Sequence, residues 1–267
     1  MNWDRYNELD ALDRSGKSDE ALSGLNELES ECADVEDKAL ILMAISDCLG
    51  KLGRYPESRQ AIERASALVG LQNRFYPRLA FKDAYIDIYA ENWKKALSKI
   101  DAIQKESYDA LLLPDNADLV EQLHISRGIV LVELHRYREA LPLLEQAAVV
   151  SPDDVVVLTY LGACYFDAEK LDEAKECFLK ALRLGLDSSY RSKAHYFLGS
   201  IYYAQGKFGW AKQEFENSLD SGEDAKFSGQ NVYEYLRRTS QALGLDDEAE
   251  RYSQLLQQSN RPVIKQK

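Results

Sequence analysis

Apolar residues along this chain recur at helical rather than strand spacing. Leu141, Leu144 and Ala148 share one face of a helix, and the same layout returns 34 residues later. Ala140 and Ala174 hold equivalent places. Each is followed four residues on by a bulky side chain (Leu144, Phe178) and seven on by a small one (Ala147, Ala181). A period of this length is the signature of stacked helical hairpins, none of which can bury its apolar face alone. The template recurs seven times, with small anchors at Ala21, Ser58, Ala96, Ala140, Ala174, Ala211 and Ala249. A small residue lets two helices approach closely, and a bulky neighbour three or four positions away fills the groove beside it.

Punctuation agrees with the period. Gly16, Gly53, Gly206 and Gly244 occupy the same place between the two helices in four of the seven hairpins. A left-handed, helix-ending residue is expected there. Ser18-Asp19-Glu20 and Asp172-Glu173 read as N-cap or first-turn signals of second helices, and Ser151-Pro152-Asp153 as that of a first helix. The anchors lie 37, 38, 44, 34, 37 and 38 residues apart. Most of the excess over 34 is close to whole helical turns of about 3.6 residues, which preserve the buried face, so lengthened helices are expected. The ten extra residues near Tyr108–Ala117 (YDALLLPDNA) are the exception. Pro114 and Asp115-Asn116 break a helix there, and Leu111–Leu113 would either extend a helix into the core or fold over the inner surface as a plug.

Composition narrows the class. The chain has 267 residues, 45% hydrophobic and 29% charged, with a net charge of −12. That is the make-up of a soluble globular protein, and an acidic surface without a basic stripe excludes nucleic acid as an expected partner. The N-terminal MNWDRYNELD carries acids where a signal peptide needs an apolar run. No apolar stretch of about 18 residues is present, so no membrane span is expected and the expected location is cytoplasmic. Cys32, Cys48, Cys164 and Cys177 show no CxxC spacing and read as reduced structural thiols.

The hairpin resembles the tetratricopeptide repeat. Leu161-Gly162 with Tyr165, and Leu198-Gly199 with Tyr202, match that family's Leu-Gly-aromatic pattern of the first helix; Arg127-Gly128 with Leu131 is a looser version, and Pro152 matches its terminal proline. The resemblance spans residue 3 to about 258 and is strongest in repeats four to six. It implies an all-α fold, a right-handed superhelical solenoid of antiparallel helix pairs. Residues 1–259 would form it as repeats at about 3–35, 38–72, 76–107, 118–152, 153–187, 189–224 and 226–259, with 260–267 (NRPVIKQK) a frayed tail.

The resemblance also assigns the inner surface to a stripe along the first helices. That stripe presents Arg78, Phe81, Tyr85, Ile88 and Tyr89; Gln122, Ile125, Ile129, Val132 and Glu133; Val156, Thr159, Ala163, Phe166 and Asp167; and Lys193, Tyr196, Ser200, Tyr203 and Ala204. Its ends are polar: Asp10, Asp13 and Arg14 in the first repeat, Asn231, Glu234, Arg238 and Gln241 in the seventh. An aromatic and aliphatic centre with a polar rim is the anatomy of a peptide- or helix-binding surface. The expected contact residues are Arg78, Phe81, Tyr85, Tyr89, Ile125, Ile129, Val132, Phe166, Lys193, Tyr196 and Tyr203. One subtype of the family grips a C-terminal carboxylate. Arg78 and Lys82 match its third-repeat pair, but Tyr6, Asp10 and Ala44 stand at the other places, so the clamp is incomplete.

Enzyme signatures (HExxH, GxSxG, a phosphate-cradling Gly loop, an EF-hand) do not occur. His124 and His195 hold the same place in two repeats, which argues for packing, and His135 falls in an interhelix turn. The expectation is a non-enzymatic interaction scaffold without cofactor or metal, binding a basic or amphipathic peptide or helix. Self-association through the apolar face is the alternative, with oligomeric state left open. A peptide-sensing regulator is a weaker one, because such proteins add an N-terminal effector module and the repeats begin here by residue 3.

Overall fold

The computed structural model describes residues 2–69, 75–106, 111, 116–186, 188–220, 226–227 and 230–259. Among them, fourteen helices form seven hairpins in chain order. These are α1 (Trp3–Arg14) with α2 (Ser18–Glu31), α3 (Val35–Lys51) with α4 (Tyr55–Val69), and α5 (Tyr76–Tyr89) with α6 (Trp93–Glu106). Then come α7 (Ala117–Glu133) with α8 (Tyr137–Val150), α9 (Val155–Asp167) with α10 (Leu171–Leu184), α11 (Ser188–Ala204) with α12 (Phe208–Asp220), and α13 (Val232–Ala242) with α14 (Asp246–Ser259). A two-residue antiparallel pair, β1 (Lys226–Phe227) with β2 (Gln230–Asn231), precedes α13. The fold class is the expected one, all-α helical repeats of the α-α superhelix type. The helices group into two compact units, Met1–Val130 and Leu131–Lys267, with the boundary inside α7.

All seven hairpins turn the same corner, three residues long. In four of them the middle residue is the expected glycine at positive φ (Gly16, Gly53, Gly206 and Gly244). In the other three, Glu91, His135 and Glu169 adopt the same left-handed conformation, with φ of 56–59°. The backbone explains why. The middle residue donates its N–H three residues back, as Glu169 does to the Phe166 carbonyl (3.1 Å), and the next residue closes the loop five back, as Lys170 does to Tyr165 (2.9 Å). This Schellman pattern satisfies the last helical carbonyls and requires left-handed φ whatever the side chain. At the starts of three first helices a side chain does the capping. Asn2, Asp34 and Asp154 accept N–H groups of the first turns of α1, α3 and α9. The cap of α9 is thus Asp154 and not Ser151-Pro152-Asp153, because α8 runs to Val150 and Ser151 closes it. Likewise Ser18 is the first helical residue of α2, and its hydroxyl reaches back to the Asp13 carboxylate at 2.6 Å.

The anchors lie in the core. All seven are buried, six of them with no exposed surface at all. Ser58, the one polar anchor, donates to the Ser46 carbonyl and lies 2.8 Å from its hydroxyl, so its Oγ is satisfied in the core. The Leu-Gly pattern has an equally local cause. A Cβ on Gly162 would lie 2.8 Å from the Phe178 ring, and one on Gly199 2.8 Å from the Phe215 ring. The first helix therefore lacks a side chain where the second helix inserts an aromatic. In unit 1 the core runs through Leu25, Ile41, Leu42 and Leu79; in unit 2 Phe215, Tyr196, Val232 and Leu236 form a cluster.

Lengthening by turns holds for α3, α7 and α11. Each has 17 residues against 13 in α9, one turn more. It fails between Ala211 and Ala249, where α13 has only 11 residues and the extra length lies between Asp220 and Val232. That connection (SGEDAKFSGQN) is rich in turn-forming residues. Asn231 accordingly sits in β2 and not on the first helix of the seventh repeat. Of the ten-residue insert, Leu111 is buried; residues 108–110 and 112–115, like the tail 260–267, lie outside the described residues.

Two substitutions in the fifth hairpin should act in opposite directions. Glu169→Gly relieves a left-handed residue and should raise stability by about 1 kcal/mol. Gly162→Ala forces a methyl against Phe178 and should lower it by roughly 1–3 kcal/mol despite the better helix propensity of alanine. Urea melts followed by circular dichroism would rank them; equal midpoints would refute both assignments.

Candidate functional site

In unit 1, the first helices α1, α3, α5 and α7 wall a cavity of about 410 Å³. Tyr6, Leu40, Met43, Ala44, Phe81 and Leu119 give it an apolar lining, and Asp10, Asp13, Asp47, Arg14, Arg78, Lys82 and Gln122 a polar one. Its volume is in the range of small-ligand and peptide side-chain pockets, about 300–1,000 Å³. Three ion pairs bridge successive first helices along this face. Lys51 reaches Asp13 (2.5 Å), Lys82 reaches Asp47 (2.5 Å), and Arg78 holds both oxygens of Asp118 (2.5 and 2.9 Å). Arg14 pairs with Asp10 on its own helix at 2.7 Å. Every cation lining the cavity thus faces a carboxylate of the same chain. This completes the argument against a carboxylate clamp: Arg78 and Lys82 are spent on Asp118 and Asp47.

Burial and charge set the titration of the site. The Tyr6 hydroxyl is pushed up to about 12, first by burial and then by the negative charges of Asp10 and Asp47. The Cys48 thiol rises to about 12 by burial and the nearby Asp13. For Asp13 burial acts upward, but the hydrogen bonds from Lys51 and Ser18 outweigh it and hold the carboxyl below its ordinary value. Arg78 does the same for Asp118, chiefly through its hydrogen bonds.

The expected contact residues separate by exposure. On α5, Phe81, Tyr85 and Tyr89 form a ladder of rings with centroids 5.6 and 4.9 Å apart. Phe81 is buried in the cavity wall, Tyr85 is half-buried and Tyr89 is exposed. Ile125 and Ile129 on α7 are half-buried, and Val132 is buried. In unit 2 the stripe is largely consumed by contacts between repeats. Tyr196 is buried against Phe215 and Tyr235, while Phe166 packs edge-on to Phe197 and Tyr203 to Tyr235. Lys193 is buried too. Its ammonium donates to Glu133 at 2.6 Å and lies 4.3 Å above the Tyr160 ring, whose hydroxyl donates to the same carboxylate at 2.8 Å. Thr159 and Ser200 are also buried.

Tyr6, Leu40, Met43 and Leu119 line the cavity without having been singled out as contacts. Their signal was present in the first-helix register: counted from their anchors, Tyr6 and Met43 hold the place of Phe81 and Leu40 that of Arg78, while Leu119 stands three residues before Gln122. A second cavity of about 510 Å³ lies against α4, α5 and α6. Beside it Arg59 and Lys99 both pair with Asp83 and with the buried Asp87, a structural knot among three helices. His195 lies 2.7 Å from Glu214, with both side chains mostly buried, and His124 is half-buried. Among the described residues no group of three or more His, Cys, Asp or Glu is placed to hold a metal ion, and no helix is long and apolar enough to cross a membrane. All four cysteines are free, and burial raises Cys164 to about 12 and Cys177 to about 11.

The depressed Asp13 gives unit 1 a pH dependence of known sign. A carboxyl held below its unfolded value, near 3.9, stabilises the fold above that pH and loses the contribution as pH falls through the folded value. Asp13→Asn should therefore destabilise at pH 7, and the gap to wild type should close toward pH 3. A gap of constant size in denaturant melts would show that the Asp13 charge is not its source.

Two tetratricopeptide-repeat family models match this chain, over residues 131–194 and 165–225. No curated protein sequence matches it. Among solved structures, the APC/C hetero-tetramer Cut9–Hcn1 aligns with a TM-score of 0.67 at 17% identity, covering 95% of this chain and 48% of that one. The pilF protein of Pseudomonas aeruginosa aligns at 0.61 and 18% identity, over 85% and 94% of the two chains. A tetratricopeptide repeat protein from Parabacteroides merdae aligns at 0.55 and 13% identity, over 97% and 95%. At these identities the likeness is one of fold. Residues 131–225 thus match the tetratricopeptide repeat, and the hairpins outside that span share the same buried small anchor and the same corner.

Proposed function

We propose that this protein is an interaction scaffold that holds a segment of another protein on the first-helix face of unit 1. The observation that carries this reading is the cavity walled by α1, α3, α5 and α7, continued along α5 by the Phe81–Tyr85–Tyr89 ladder. An apolar floor flanked by charge pairs suits an amphipathic segment, whose apolar side chains enter while its polar ones meet the rim. Buried aromatic contacts supply most of the energy of such interfaces, on the order of 2 kcal/mol or more for one hot spot. Tyr85 and Tyr89 are the rings with surface to offer, whereas Phe81 and Tyr196 belong to the core. A photo-crosslinking residue at Gln122 should capture the partner far better than one at Glu20 on α2, and Tyr85→Ala/Tyr89→Ala should weaken that capture at least tenfold. Equal capture from both positions would sink the groove reading.

One observation favours a second reading, self-association. Val149 and Val150 at the end of α8 are 82% and 61% exposed, and Leu184, at the register of Val150 on α10, is 47% exposed. Neighbouring apolar side chains left in water mark a contact surface. If copies meet there, sedimentation velocity will show a dimer that Val149→Lys/Val150→Lys disperses; a wild-type monomer at high concentration would exclude it.

A further inference from the structure

One position breaks the rule of the repeat. The residue before each anchor is charged in six hairpins: Glu20, Glu57, Lys95, Glu139, Glu173 and Glu248. In the sixth hairpin it is Trp210, which stands on the first turn of α12 with 65% of its surface exposed. Gly209 beside it leaves open space where a Cβ would project. The Tyr202 ring lies 6.2 Å away, itself capped by Lys175 at 5.0 Å from its centroid. The indole is thus one side of an open aromatic step, not a buried packing element.

The surroundings state what would fit it. At the same register the flanking second helices carry Asp172 and Glu173 on α10, and Asp247 and Glu248 on α14, the last paired with Lys212. The helices α10, α12 and α14 together hold ten carboxylates and five cations, whereas the first helices α9, α11 and α13 hold two and four. Carboxylates at helix starts complement the helix dipole, which accounts for them structurally. No such account covers a tryptophan in water: an exposed large apolar side chain replaces a charge that six equivalent positions keep. Trp is also the strongest aromatic acceptor of a cation.

We propose that the Trp210 face of unit 2 is a second interaction surface, which binds a basic segment of a partner protein. An Arg or Lys of that segment lies on the indole, and its neighbours pair with Asp172 and Glu173 on one side and Asp247 on the other. This surface sits on the second helices of unit 2, so it is independent of the groove on the first helices of unit 1.

The full chain reports on itself once Trp3→Phe and Trp93→Phe leave Trp210 as the sole tryptophan. A synthetic peptide alternating Arg or Lys with Leu should shift Trp210 emission, in a manner weakened by salt, and the same peptide with Glu at its charged positions should not. Trp210→Glu restores the residue type of the other repeats, so melting by circular dichroism should be unchanged while affinity for the basic peptide falls at least tenfold. Asp172→Asn/Asp247→Asn should weaken it severalfold. Tyr85→Ala/Tyr89→Ala should leave it intact, which separates failure of this surface from failure of the groove. Three results would overturn the proposal: equal affinity of the Trp210→Glu variant, peptide binding without a change in Trp210 emission, or loss of self-association in that variant without effect on the peptide, which would make the face a contact between copies.

Discussion

Close approach of two helices at one small residue is the constraint on which this architecture rests. Where a hairpin's second helix carries Ala174 or Ala211, its partner can come near enough for the next bulky side chain to drop into the gap. In the fifth and sixth hairpins the partner helix goes further and omits its own side chain, at Gly162 and Gly199, so that Phe178 and Phe215 can enter. The hairpin is then a fixed object. Its first helix presents one face to the neighbouring repeats and its second helix presents another, and everything that concerns partners is a property of one face or the other.

The two faces differ in how they treat charge. Across unit 1 the first helices are stitched by Asp13–Lys51, Asp47–Lys82 and Arg78–Asp118, and in unit 2 by the Glu133–Lys193 pair against Tyr160. Those charges are internally matched, and a partner meets them as dipoles. The second helices of unit 2 leave most of their carboxylates in solvent. A scaffold built this way reads shape and apolar area on one side and charge on the other.

Much of this was legible in the residue order because the determinants are short-range. The anchors, the Leu-Gly pairs and the four corner glycines are each one residue with one steric reason. The corners at Glu91, His135 and Glu169 were not legible, because a backbone hydrogen-bond pattern sets their φ and any side chain is compatible with it at modest cost. The groove was legible as a face but not as a surface. Helical register shows that Tyr196, Phe81 and Lys193 point inward, and only the next repeat decides whether the inside is solvent or core; for these three it is core. Length behaved similarly. A residue surplus near a whole turn became helix in α3 and α11, but between Ala211 and Ala249 it falls outside the helices, in a segment whose sequence is rich in turn-forming residues.

The shared corner has a consequence for how the molecule comes apart. Each hairpin closes its corner hydrogen bonds within itself, down to the same two backbone contacts in all seven cases. Separation of neighbouring hairpins therefore breaks lateral apolar and ionic contacts but leaves no corner amide without a partner. In a linear array that makes the hairpin the natural quantum of disorder. Within each unit, loss of structure can advance one hairpin at a time, and opening of a terminal hairpin would bare the face of the next one, an apolar surface shaped to receive a helical pair.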